Sequence, residues 1–165
     1  GLITVFRPAT KWPSFHRWQV ADMATADITH QPIDVIKVLE AVSGPESGAG
    51  LLFLGVVRDQ AGGRPVSGMR YEAYEPMARS QLSRIVEQAE VRFDVSAVAA
   101  AHRLGELDLQ EASLAIAVSS PHRPAAYEAS RWVLEEIKLR LPVWKHEHYT
   151  DGSSTWVPGN PLEPA

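Results

Sequence analysis

The stretch Leu114-Ala115-Ile116-Ala117-Val118-Ser119-Ser120-Pro121-His122-Arg123-Pro124 constrains the fold more than any other. The apolar run reads as a buried strand, and the prolines end it, because proline cannot donate to a sheet ladder but suits the first turn of a helix. Ala125 to Arg140 then shows helical spacing. Ala126, Ser130, Val133, Ile137 and Leu141 form one stripe, and Tyr127, Arg131, Leu134 and Lys138 form the row beside it. Unpaired amides at the start of this helix would face wherever His122 and Arg123 face, which makes a candidate anion site. Pro142 stops the helix, and Val143 to Tyr149 with Thr155 to Val157 reads as a hairpin closed by Asp151-Gly152.

Upstream, the domain begins at Ile28, and Asp34 is a plausible N-cap for a helix from Val35 to Val42 that buries Val35, Val38, Leu39 and Val42. Leu51 to Val57 is nearly continuous apolar sequence, which predicts a strand in the middle of a sheet. Arg58 stands at its exit. Asp59 to Arg64, with Gly62-Gly63, predicts a hairpin loop that returns Pro65 to Tyr74 as an antiparallel partner. Pro76 opens a helix to about Phe93. Ser96 to His102 and Ala112 to Ser119 are two more strands, separated by a turn at Arg103 to Asp108. This order predicts an α+β domain with a largely antiparallel sheet covered by helices. Gly48-Ala49-Gly50 precedes a strand rather than following one, so it is not a dinucleotide fingerprint.

Composition narrows the function classes. The chain has 165 residues, is 45% hydrophobic and carries a formal charge of −4, so it can bury a core but lacks the basic excess of a general nucleic-acid binder. It has no cysteine, which excludes disulfides, thiolate metal ligands and a cysteine nucleophile. No apolar run is long enough to span a membrane and no signal peptide is evident, so the cytoplasm is the expected compartment. Residues 1–22 show no sustained periodicity and read as a poorly ordered leader, either upstream sequence or an artificial addition, ahead of a single domain at 23–165.

Each candidate for chemistry also has a plainer reading. Lys138 could simply pair with Glu135 on a wet surface. Its place beside the buried stripe argues instead for a lysine desolvated at the core edge and crowded by Arg131, Arg140 and Lys145, with its amine pKa lowered from about 10.4. Lys145, next to Trp144, would stay charged and hold an anion. Arg58 could be a solvated strand end, and His122-Arg123 a helix cap. His146 and His148 share a strand face, but a third metal ligand is not evident, and no metal is assigned.

Taken in order, Phe53-Leu54-Gly55-Val56-Val57-Arg58, His102-Arg103-Leu104-Gly105-Glu106, Ser120-Pro121-His122-Arg123 with Tyr127-Glu128-Ala129, and Lys138-Leu139-Arg140-Leu141-Pro142-Val143-Trp144-Lys145-His146-Glu147 resemble the large, catalytic subunit of molybdopterin synthase. The resemblance spans about Ile28 to Val157. It implies an α/β hammerhead fold and a homodimer of large subunits, with a small ubiquitin-like sulfur-carrier subunit at each end to make a heterotetramer. The implied reaction moves two sulfurs from the thiocarboxylated Gly-Gly terminus of that subunit to cyclic pyranopterin monophosphate, forming the dithiolene of molybdopterin. No cofactor is implied. Residue by residue, the resemblance makes Lys138 catalytic and Lys145 a second lysine supporting binding and turnover. It places Val56, Val57, Arg58, His122, Arg123, His146 and Glu147 around the substrate, and Arg58, His122, Arg123 and Lys145 in one anion pocket. Two other readings remain: a non-catalytic anion- or nucleotide-binding module, and a metal-dependent hydrolase using His122, His146 and His148.

Overall fold

Side-chain alternation along two alanine-rich strands decides the layering. In the computed structural model, which describes residues 25–157, these strands are β5 (Ala97–Arg103) and β7 (Ala112–Ser120). The leader expected at 1–22 lies outside the described residues, as do residues 158–165. Val98, Ala100, Ile116 and Val118 face one way, into the main core, and Ala99, Ala101, Ala115 and Ala117 face the other. Each set meets a helix layer. The larger side chains pack against α2 (Glu75–Phe93) and α3 (Arg123–Arg140) through Leu82, Ile85, Val86, Ala89, Val133 and Ile137. The alanine face receives α1 (Val35–Glu40) and the residue pair Val38 and Val42, because methyl-sized side chains let a short helix approach closely. Asp34 caps α1 as expected, accepting from the Lys37 amide at 3.2 Å.

β5 and β7 are the central strands of a four-stranded sheet in the order β1-β5-β7-β2, with β1 (Ala26–Thr29) parallel to β5 and the other pairs antiparallel. β2 (Ala49–Val56) therefore lies at an edge, not in the middle. Its apolar run is explained by the helices on the two faces: Leu51 and Phe53 pack toward α2 and α3, and Leu52 toward α1. A run half-covered by helices above and below looks the same in sequence as one flanked by strands, although Leu54 and Val56 here are exposed.

A second sheet holds β3 (Gln60–Ala61), β4 (Arg64–Ala73), β8 (Val143–Tyr149) and β9 (Ser154–Val157) in that order, with β6 (Gly105–Asp108) also paired to β4. Two expectations are corrected here. The strand from Pro65 does not pair with β2: only Gln60–Ala61 and Arg64–Pro65 form the small hairpin, while β4 runs along β6 and β8. The segment 103–108 is not merely a turn, because Gly105, at φ +92°, redirects the chain from the first sheet into β6 of the second. The fold is α+β with two sheets, where one sheet was expected. Tyr71, Ala73 and Val143 dock the second sheet on the main core. The β8–β9 hairpin turns at Gly152, φ +84°, as read from the sequence.

Candidate active site

The chain leaves β2 through a bulge between Gly55 and Val56, and Val57 is then buried with Met69 and Leu107 in the second sheet's own cluster. Val57 donates its amide to the Glu111 carbonyl at 3.1 Å and accepts from the Gln110 amide at 2.9 Å. That anchoring directs the exposed Arg58 to the rim of a cleft of about 300 Å³ between the sheets.

The opposite wall comes from the end of α3. Leu141 is extended, ψ 128°, as the residue before a proline must be, and Pro142 hands the chain directly to β8. Lys138, in the last helical turn, and Leu141 line the cleft, as do Val143, Lys145 and Glu147 on alternate positions of β8. Phe53, Tyr71, His102, Ser113 and Leu114 line it as well.

Three cations, Arg58, Lys138 and Lys145, share this lining with one carboxylate, Glu147. Glu147 is only 8% exposed and accepts the Tyr149 hydroxyl at 2.8 Å, and the Arg64 guanidinium lies 3.6 Å above the Tyr149 ring. A chain of net charge −4 thus concentrates positive charge in one concave place, suited to an anionic ligand. Burial raises the pKa of the Tyr71 hydroxyl, helped by the nearby Glu147 charge and opposed by a hydrogen bond with Ser113. Burial lowers that of His102. Both remain neutral.

The profile of the MoaE protein family matches residues 28–140. The chain belongs to the MoaE family. The molybdopterin synthase catalytic subunit of Bacillus subtilis (strain 168) is 42% identical over 141 residues, covering 86% of this chain and 88% of that protein. Catalytic subunit 1 of Mycobacterium tuberculosis is 42% identical over 134 residues, covering 81% of this chain and 90% of its own length. The crystal structure of molybdopterin synthase from Staphylococcus aureus superposes with a TM-score of 0.78 at 34% identity, covering 83% of this chain and 99% of that one. The chain is thus related throughout its described domain to enzymes of molybdenum cofactor biosynthesis, and it shares their fold.

Of the positions that the MoaE resemblance singles out, the structure brings Val56, Val57, Arg58, Lys138, Lys145 and Glu147 to one cleft. It does not bring His122, Arg123 or His146 there within a single chain. His122 and Arg123 stand exposed at the start of α3, and 15 or 16 residues of helix, about 22–24 Å along its axis, separate them from Lys138. One anion pocket holding Arg58, His122, Arg123 and Lys145 therefore does not form in the isolated chain. His146 points to the other face of β8, its ring stacked on Trp156 at 4.5 Å, because neighbouring strand residues face opposite ways. The partial burial expected for Lys138 is also absent: it is exposed, Arg131 is occupied by Glu135, and Arg140 by Gln81, Gln88 and Glu136. Among the described residues no three potential metal ligands converge, so the three histidines of a hydrolase do not meet. Sequence reasoning missed Tyr71 and Ser113, read as ordinary strand residues, and His102, quoted only as part of a motif. The available signal was a histidine ending an otherwise apolar strand.

Proposed function

We propose that this cleft is where sulfur passes from the thiocarboxylated Gly-Gly terminus of a small ubiquitin-like subunit to cyclic pyranopterin monophosphate. The observation that carries the reading is the convergence of Lys138, Lys145 and Arg58 on one cleft in a family of molybdopterin synthase catalytic subunits. Lys138 is the catalytic lysine in this reading, standing where its charge can stabilise the thiocarboxylate and the negative charge that develops as sulfur leaves. Lys145 and Arg58 hold the anionic substrate, and Val56, Val57 and Glu147 shape the wall. A chain without cysteine has no thiol to carry sulfur, so the sulfur arrives on the partner. Glycines suit the partner's tail because a peptide without side chains can thread a narrow cleft.

The working assembly in this reading is a homodimer of these chains with a small subunit at each end. His122 and Arg123, remote from Lys138 in their own chain, would then serve the cleft of the second copy, with His146 supporting the rim from the outer face of β8. The compartment is the cytoplasm, consistent with a cysteine-free chain in which no described helix is long and apolar enough to cross a membrane. The test is to mix this protein with a thiocarboxylated small subunit and the cyclic pterin and assay the dithiolene product. Product formation supports the reading. Tight binding of the pterin without product would leave a non-catalytic anion-binding module.

A further inference from the structure

His102, the penultimate residue of β5, lines the cleft and is only 7% exposed. Its Nδ1 lies 2.9 Å from the Arg103 carbonyl oxygen, and a carbonyl can only accept, so Nδ1 carries the hydrogen. Nε2 is left as a bare acceptor. It has no hydrogen-bond partner among the described residues, yet it is not sealed in: the buried, unpartnered side-chain atoms among them are Ser47 Oγ, Arg103 Nε and Ser119 Oγ. The ring that carries this open nitrogen lines the cleft. The ring is held edge-to-face by Tyr71, with centroids 5.3 Å apart and an interplanar angle of 71°. Burial lowers the pKa of the imidazole, opposed by the hydrogen bond to the Arg103 carbonyl, so the ring favours its neutral form.

We propose that His102 Nε2 accepts a hydrogen bond from a ring N–H or O–H of the ligand's heterocycle, and so determines which heterocycle the cleft takes while the cations hold the anionic group. The proposal rests on the pterin reading above, and a reduced pterin presents N–H donors along its ring edge. The chemistry is selective because a buried acceptor that a ligand leaves unpaired loses its hydrogen bond to water without replacement. Phosphate alone satisfies the cations but offers this nitrogen nothing.

The experiment compares binding of cyclic pyranopterin monophosphate and of inorganic phosphate to the wild-type chain and to His102→Phe and His102→Gln by calorimetry. Phenylalanine keeps the ring and the Tyr71 contact but removes the acceptor. It should weaken pterin binding roughly tenfold or more and leave phosphate binding unchanged, and glutamine, which restores an acceptor oxygen, should recover part of the loss. Equal pterin affinity in His102→Phe, or parallel loss of both ligands, overturns the proposal. If the variants do not fold, wild-type protein labelled with 15N-histidine decides by NMR. The Nε2 resonance should move on adding pterin but not phosphate, and an unmoved resonance overturns the proposal. Wild type that binds no pterin overturns the functional reading itself, an outcome distinct from a His102→Phe variant that binds as wild type does.

Discussion

Arg131 takes the carboxylate of Glu135 at 3.0 Å, and that pairing leaves Lys138 without an acidic partner among the described residues. The plainer reading of Lys138, a surface lysine tied to Glu135, thereby loses its partner. An ammonium group at the rim of a cleft, bound to no carboxylate, is available to a ligand.

Replacing Lys138 with alanine should accordingly cut sulfur transfer by at least about a hundredfold, the scale of losing one stabilising group at a reacting centre. Stability should change by no more than about 0.5 kcal/mol, since the side chain is exposed. Product assays and urea unfolding on the same preparation check both halves. Near-normal turnover would remove Lys138 from the mechanism.

Arg140, two residues further on, should behave in the opposite way. It reaches Gln88 at 2.7 Å, Gln81 at 3.0 Å and Glu136 at 3.2 Å, tying the end of α3 to α2. Arg140→Ala should cost about 1–3 kcal/mol in urea unfolding, because charged hydrogen bonds are lost and their acceptors left unpaired. An unchanged unfolding midpoint would show that the two helices are held by their apolar faces alone.

The alanine face under α1 sets a further expectation. Ala117 is fully buried there, between Leu52 and Ala99 on neighbouring strands. Ala117→Leu should destabilise the chain by about 1–3 kcal/mol, since extra methyl groups must push the short helix away. Circular dichroism with urea titration measures it, and a neutral result would mean that α1 can lift freely.

Acid should loosen the corner between β6 and β7. Glu111 accepts from the Arg103 guanidinium at 2.8 Å and from the Asp108 amide at 2.7 Å, and these two bonds, the arginine's first, hold its carboxyl below the ordinary glutamate value. A carboxyl depressed in the folded state stabilises fully above the unfolded value of about 4.3, and the contribution disappears as pH falls through the lower folded value. The stability gap between wild type and Glu111→Gln should therefore be widest near neutral pH and shrink on acidification. A gap independent of pH would contradict this.

Helices and the last hairpin were legible because their signals are local: Asp34 as a cap, Pro76 and Pro124 in first turns, Pro142 as a stop, Asp151-Gly152 as a turn. Strand partnership was not, because it is settled by distant segments. β2 pairs with β7 rather than with the next strand, and nothing within Leu51 to Val57 records that. The cleft shows the same division. Lys138, Lys145 and Glu147 could be read from spacing and resemblance within one helix and strand. The contribution of Tyr71 and His102 depends on how two sheets meet, whereas the distance of His122 and Arg123 from Lys138 was already contained in the helix read from Ala125 to Arg140, and the resemblance grouped these residues without regard to it.

The passage from α3 through Pro142 into β8 separates two kinds of precision. The offset between Lys138 and Lys145 is written into one short, proline-stiffened elbow of backbone, so it travels with that piece whatever the rest of the molecule does. Arg58 and His102 reach the same cleft from the other sheet. Loosening the seam between the sheets would thus dilute the grip on a ligand first, with the lysine pair still correctly spaced. Damage at a distance should register as weakened binding before it registers as lost chemistry.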